Sequence, residues 1–279
     1  DAGVPFAFAP ATLLDGFPAA DGSPAADGSP AANPSATAAD WDGDGDTDLL
    51  VLDNRLLCYR NDGSSLILDA SAQPALPPDM APKHVLAADF DNNGHIDLVF
   101  SGRQLLYMSA GASGRWEAQL SLQQPTQRAF AADVDHDGDL DLLVSTEAGS
   151  RLWTNDGRGA FTDFTTEAAL EGAVSALQVL FSDFDNDRDI DFFILGREKI
   201  QLFTNNRDGT FTDVAATVGL SSIEPAIAIC VEDFDQDQYM DLCLLNADGN
   251  LILYVNREGG QFAPAPSISV PLNEARGLR

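Results

Sequence analysis

An acidic nonapeptide recurs five times along the chain, and this recurrence limits the possible folds more than any other feature of the sequence. The copies are DWDGDGDTD at 40–48, DFDNNGHID at 89–97, DVDHDGDLD at 133–141, DFDNDRDID at 183–191 and DFDQDQYMD at 233–241, with starts 44 to 50 residues apart. Each follows small or apolar residues, as in HVLAAD and QVLFSD, and precedes an apolar run: LLVL, LVF, LLV, FFIL or LCLL. An apolar run, a turn and a second apolar run form a hairpin signature. A looser repeat follows about a dozen residues later: LLCYRNDGSSLIL, LLYMSAGASGRWEAQL, RLWTNDGRGAFTDF, QLFTNNRDGTFTDV and LILYVNREGGQFAPA. Its Asn, Asp and Gly residues supply the positive-φ positions that hairpin turns need.

Each period therefore reads as four short antiparallel strands. No segment sustains a 3.6-residue apolar period, although 165–172 and 215–220 each allow one helical turn. Four-stranded units repeating at this interval predict an all-β fold, a β-propeller of four-stranded antiparallel blades. A β-sandwich accounts for the hairpins but not for the recurrence of one loop. Five blades are visible, at about 35–70, 83–122, 127–168, 174–216 and 225–268. GVPFAFAPATLLDG near the start resembles GGQFAPAPSISV at 259–270, so 1–17 reads as the outer strand of a preceding blade. Residues 18–34 are a Pro- and Ala-rich low-complexity excursion, and 269–279 resemble the approach to a next blade. The expectation is one propeller over 1–279, forming part of a larger one within a longer chain; a closed ring of five blades is the alternative.

The chemistry lies in the acidic loops. Three to five carboxylates in nine residues repel one another unless a cation holds them. Hard oxygen ligands in a flexible loop suit Ca²⁺ better than Mg²⁺, which demands near-octahedral geometry. Acidic residues at positions 1, 3, 5 and 9, Gly at 6 and a backbone carbonyl at 7 resemble a shortened EF-hand loop flanked by strands. The expected side-chain ligands are Asp40, Asp42, Asp44 and Asp48; Asp89, Asp91, Asn93 and Asp97; Asp133, Asp135, Asp137 and Asp141; Asp183, Asp185, Asp187 and Asp191; and Asp233, Asp235, Asp237 and Asp241. The backbone carbonyls are those of Asp46, His95, Asp139, Asp189 and Tyr239. Arg188 and Gln238 replace the position-6 Gly in the last two loops, where a left-handed side-chain residue costs about 1 kcal/mol. A solvated acidic turn without metal explains one such loop more readily than five with common spacing. The expectation is about five structural Ca²⁺ sites.

These DxDxDGxxDL loops, with their LxxNDGxGxFTD turns, resemble the FG-GAP/VCBS repeat family, which also occurs in integrin α-subunit propellers and many bacterial secreted proteins. The resemblance spans about 35–265 and is densest in RLWTNDGRGAFTDFT and QLFTNNRDGTFTDVAATVGL. It implies a propeller, commonly of about seven blades, with Ca²⁺ loops joining the first two strands of each. It also implies an extracellular, cell-surface or periplasmic protein engaged in adhesion or ligand binding. Missing glycines in two loops and the altered second turn MSAGASGRW are departures from the family pattern.

The charge balance, 44 acids against 15 bases, excludes a phosphate-facing surface and hence a nucleic-acid partner. Nineteen of those acids are the proposed side-chain ligands. No apolar run reaches the roughly 18–20 residues of a membrane span. Three cysteines, Cys58, Cys230 and Cys243, lie in no metal or redox motif. Free thiols are expected, with pairing of Cys230 and Cys243 across an acidic loop left open. Trp41, Trp116 and Trp153 are expected to pack between strands rather than stack on sugars. No nucleophile elbow, zinc-protease motif or phosphate loop is present, so no catalytic residue is assigned. The functional expectation is a calcium-stabilised binding scaffold for a protein or glycan; the alternative is the propeller portion of a secreted polysaccharide-acting hydrolase or lyase.

Overall fold

The computed structural model describes residues 35–265 apart from 54, 221–225, 247, 258 and 259. The readings of 1–17, 18–34 and 269–279 lie outside the described residues. Blade one comprises β1 (Ser35–Ala39), β2 (Asp48–Asp53), β3 (Arg55–Asn61) and β4 (Leu66–Leu68), and blade two β5 (His84–Ala88), β6 (Asp97–Ser101), β7 (Leu105–Ala110) and β8 (Trp116–Leu122). Blade three comprises β9 (Arg128–Ala132), β10 (Asp141–Thr146), β11 (Gly149–Asn155) and β12 (Phe161–Asp163), and blade four β13 (Gln178–Ser182), β14 (Asp191–Leu195), β15 (Ile200–Asn205) and β16 (Phe211–Asp213). Blade five comprises β17 (Ala226–Glu232), β18 (Asp241–Asn246), β19 (Leu251–Arg257) and β20 (Gln261–Pro264). Every blade is a four-stranded antiparallel meander in chain order, and every acidic loop joins its first two strands. β1 lies against β5, β5 against β9 and β13 against β17, which sets first strands side by side and makes the assembly a β-propeller. No helix among the described residues is long and apolar enough to cross a membrane.

The apolar runs after the acidic loops follow from burial on both faces of the second strand, because alternate side chains point to opposite neighbours. In β14, Phe192 and Ile194 pack with Leu143 and Leu152 of blade three, while Phe193 and Leu195 pack with Leu242 and Leu244 of blade five. The same alternation sends Leu98 and Phe100 toward Leu50 and Leu52 of blade one, and Val99 toward Leu142 and Val144 of blade three. The segments after blades three and four each make one helical turn, closed by Ala168 N–H to the Phe164 carbonyl and Val218 N–H to the Val214 carbonyl. These turns tuck Leu170 and Leu220 into the junctions.

Up to two contacts fasten a loop to the following blade. The apolar residue at loop position 2 packs near the aromatic that opens the next blade's fourth strand: Trp41 meets Trp116 at 5.7 Å between centroids, and Phe90 meets Phe161 at 5.8 Å. Val134 shares a cluster with Phe211, and Phe184 with Phe262. Trp41 and Trp116 are thus buried packing residues, and Trp153 is partly buried. Beside these contacts, an Asn near the end of the third strand reaches back to the position-2 carbonyl of the preceding loop. Asn155 Nδ2 donates to the Phe90 carbonyl at 2.7 Å, Asn205 to that of Val134 at 2.9 Å, and Asn256 to that of Phe184 at 2.8 Å. Blade two has Ala110 at the equivalent place and lacks this clasp. Replacing Asn205 with Ala leaves a buried carbonyl unpaired and is expected to cost about 1–3 kcal/mol, measurable as a lower urea midpoint with an unchanged slope.

Candidate metal centre

Each acidic loop is wound around the carboxylate at position 1. Asp40 accepts N–H bonds from Gly43 (2.8 Å) and Gly45 (2.9 Å), and Asp89 from Asn93 (3.1 Å) and Gly94 (2.8 Å). Asp183 and Asp233 accept from positions 5 and 6 at 2.9–3.0 Å, and Asp133 accepts from Gly138 at 3.1 Å. Wrapping so tightly requires left-handed residues at two places. Position 6 has φ of 94° at Gly45 and 82° at Gly94, and the same region is imposed on Arg188 and Gln238, both at 78°. Position 4 is also left-handed in all five loops, at Gly43, Asn92, His136, Asn186 and Gln236. Gly or Asn at three of the five positions was a legible signal of that second requirement, one that attention to position 6 alone misses.

Position 9 combines two tasks. Asp48, Asp97, Asp141, Asp191 and Asp241 open the second strands and are each 1% exposed or less. One oxygen accepts the position-2 N–H at 2.9–3.1 Å. The other accepts an N–H from the end of the third strand, at Asn61, Ala110, Asn155, Asn205 or Asn256, at 2.7–2.9 Å. The carboxylate thus ties the start of the loop to the third strand. In blade two, the Tyr107 hydroxyl adds a third bond to Asp97 at 2.9 Å.

With positions 1 and 9 fixed, position 3 completes a triad. One oxygen from each of Asp40, Asp42 and Asp48 lies within 4.8 Å of the other two, and the same holds for Asp89, Asp91 and Asp97, for Asp133, Asp135 and Asp141, for Asp183, Asp185 and Asp191, and for Asp233, Asp235 and Asp241. Position 5 stands just outside. Asp44, Asn93, Asp137, Asp187 and Asp237 each accept the N–H of position 7 through Oδ1 at 2.8–3.0 Å. The residues expected to offer a carbonyl, Asp46, His95, Asp139, Asp189 and Tyr239, are therefore anchored by their own N–H groups. In blades three and four the side chains at positions 3 and 5 face each other, Asp135 with Asp137 and Asp185 with Asp187. In blade three, the buried Oδ1 of Asp133 has no hydrogen-bond partner. Three converging carboxylates, the side-chain oxygen of position 5 beside them and, in blade three, an orphaned buried oxygen fit a hard divalent cation such as Ca²⁺.

Burial pushes the Asp141 and Asp191 carboxyls up to about 7, against the opposing pull of two backbone N–H bonds on each. The carboxylates at positions 3 and 5 add repulsion. Asp48 and Asp97 shift in the same direction, again chiefly by burial. A carboxyl whose folded pKa is raised contributes stability that is fully present below the unfolded value of 3.8 and is lost as pH rises through about 7. In chelator, the protein is therefore expected to become more stable as pH falls from ~8 to ~5. In millimolar calcium the slope should reverse, because protons then compete with the cation for the same oxygens. Melting temperatures across this pH range in the two buffers test the prediction, and parallel slopes would refute it.

Neighbouring loops also touch. Asn92 Nδ2 donates to Asp139 Oδ1 at 2.6 Å, His136 lies 3.5 Å from Asp189, and Asn186 Nδ2 donates to the Gln238 carbonyl at 3.1 Å. In each case position 4 of one loop reaches position 6 or 7 of the next. Arg207 pairs with Asp187 and Asp189, while Arg60 and Arg257 approach Asp42 and Asp235 at 3.9 and 3.7 Å.

Among solved structures, the chain resembles a lectin from Agrocybe aegerita, described as recognising non-reducing terminal N-acetylglucosamine. The identity is 16% and the TM-score 0.58, covering 87% of this chain and 68% of that one. It also resembles BBS1N solved in complex with ARL6DN (14%, TM-score 0.53, 86% and 67%) and a Lactobacillus plantarum protein (13%, TM-score 0.52, 80% and 68%). At these identities the likeness is one of fold. No curated protein matches the chain. The model of the FG-GAP-like repeat matches residues 40–100, 133–194 and 183–244, each match spanning acidic loops whose geometry is described above. With more than half its length so matched and one loop architecture repeated in all five blades, the chain belongs to the FG-GAP-like repeat family.

Proposed function

We propose that the chain is a calcium-stabilised scaffold that binds a glycan outside the cell, with the five loops serving as structural Ca²⁺ sites. In each loop the ligands are the side chains at positions 1, 3, 5 and 9 and the position-7 carbonyl. The observation that carries the glycan reading is a cleft that recurs at successive blade junctions. Between blades two and three, a cleft of about 550 Å³ is lined by Asp91, Tyr107, Gln119, Arg158 and Phe161 among others. Between blades three and four, one of about 410 Å³ is lined by Asp135, His136, Thr154, Arg207 and Phe211 among others. Each combines a loop carboxylate, a guanidinium and an aromatic side chain. The carboxylate and guanidinium can accept from and donate to the hydroxyls of a sugar ring, and the half-buried Phe161 and buried Phe211 form an apolar wall beside them. A lectin shares this fold, as does BBS1N solved in complex with ARL6DN, so the polar clefts are what favour a glycan over a protein. Millimolar calcium outside the cell would keep such sites filled, whereas sub-micromolar calcium would leave most of them empty.

A glycan array probed with calcium-loaded protein tests this reading, alongside a reducing-end release assay on the retained glycans. Retention of a related set of sugars, weakened by Arg158→Ala, is the expected result. An array no different from the chelator control would overturn it, and release of product would move the assignment to a polysaccharide-acting enzyme.

A further inference from the structure

Blade five departs from the others at one cross-strand pair. Cys230 on β17 stands directly opposite Cys243 on β18. The corresponding pairs in blades two to four are Leu86 and Val99, Phe130 and Leu143, and Leu180 and Phe193, all apolar and all packed into the junction with the following blade, and blade one has Thr37 opposite Leu50. Among the described residues no blade follows the fifth. Phe234, the position-2 residue of its loop, is 47% exposed, whereas Trp41, Phe90, Val134 and Phe184 are buried. On this same face Cys230 is exposed and Cys243 is partly buried.

We propose that Cys230 and Cys243 form a reversible cross-strand disulfide, making the base of the fifth acidic loop a thiol redox site. Directly opposed residues in an antiparallel ladder have Cα atoms about 4.5–5.5 Å apart. A disulfide spans about 4.4–6.8 Å. The backbone already holds the pair at a bridging separation. Cys58 cannot compete, being fully buried within β3 in the core between blades one and two. The oxidant is a low-molecular-weight disulfide. The Cys230 thiolate attacks one of its sulfurs, forming a mixed disulfide and releasing one small thiol. The Cys243 thiolate then attacks the Cys230 sulfur and displaces the second small thiol. The protein loses two protons and two electrons, and the oxidant is reduced to two thiols. Exposure of Cys230 makes it the residue that meets the oxidant first.

The test uses the native chain in calcium buffer incubated with oxidised glutathione, acid-quenched, alkylated after unfolding and digested with a protease that cleaves before Asp. Such cleavage falls between the two cysteines, at Asp233, Asp235, Asp237 and Asp241. The expected product is one species in which the Cys230 and Cys243 peptides are joined and separate on reduction, while Cys58 is alkylated. Cys58→Ser should give the same linked species. Full alkylation of all three cysteines, a glutathione adduct that persists on Cys230, or a link between Cys230 residues of two molecules would each overturn the proposal. None of these outcomes depends on whether the loops bind calcium.

Discussion

Withdrawing calcium with a chelator is expected to lower the melting temperature by more than about 20 °C. At ~1 mM free ion, a site with a dissociation constant near ~10 μM stabilises the folded state by about 2.7 kcal/mol. Five such sites would supply about 13 kcal/mol, comparable to the whole stability of an ordinary domain. For a chain of this size, each kcal/mol moves the midpoint by about 2–4 °C. Sites near ~1 mM would contribute only about 0.4 kcal/mol apiece, and the shift would then fall to a few degrees. The geometry favours the larger effect. Position 9 is buried in every loop, and each triad draws three carboxylates together, with a guanidinium reaching a triad member only from Arg60 in loop one and Arg257 in loop five among the described residues. Loops four and five, which hold Arg188 and Gln238 in left-handed conformation, carry a local cost of about 1 kcal/mol each and should release their ions first. Calorimetry in calcium and in chelator measures the effect, and coincident melts would refute a structural role for the metal.

The sequence made the blades legible because their signals are local. An acidic loop between two apolar runs and an Asn-Asp-Gly turn between two further strands fix a hairpin pair within about 50 residues, and each blade forms as that pattern requires. The junctions were hidden because their partners are distant. Asn155 sits in an N-D-G turn and reads as a turn former, yet its amide serves the Phe90 carbonyl 65 residues upstream. Asn61, Asn155, Asn205 and Asn256 recur at nearly constant distance from the position-9 Asp, a regularity that hairpin chemistry alone does not demand. Position 2 was readable as apolar, but its packing near Trp116, Phe161, Phe211 and Phe262 depends on how blades are stacked. Position 5 was legible as an oxygen donor. Its place just outside the triad follows from the position-7 N–H that it accepts, a bond that spacing does not reveal. For Cys230 and Cys243, spacing suggested adjacent strands, but direct opposition is a matter of register.

Asp141→Ala separates the two tasks of position 9. In millimolar calcium near neutral pH, the substitution removes a ligand and also leaves the N–H groups of Val134 and Asn155 without their acceptor. Each unpaired buried donor costs about 1–3 kcal/mol, so a loss of about 4 kcal/mol or more is expected once the ligand is included. In chelator at neutral pH, removing a buried charge relieves desolvation and offsets part of that loss, since burial is what pushes this carboxyl up to about 7. Below about pH 6 the carboxyl is largely uncharged and the offset disappears, leaving an expected loss of about 2–6 kcal/mol from the two orphaned backbone donors alone. Asp137→Ala is the comparison, because position 5 accepts only the Asp139 N–H at an exposed turn. Its effect should be concentrated in calcium and nearly vanish in chelator. If Asp141→Ala matched the native protein in chelator below pH ~6, position 9 would be a metal ligand only. A persistent deficit there would make it a fastener of the blade as well, explaining why the buried Asp is kept in all five loops while position 5 tolerates Asn93 and position 6 tolerates Arg188 and Gln238.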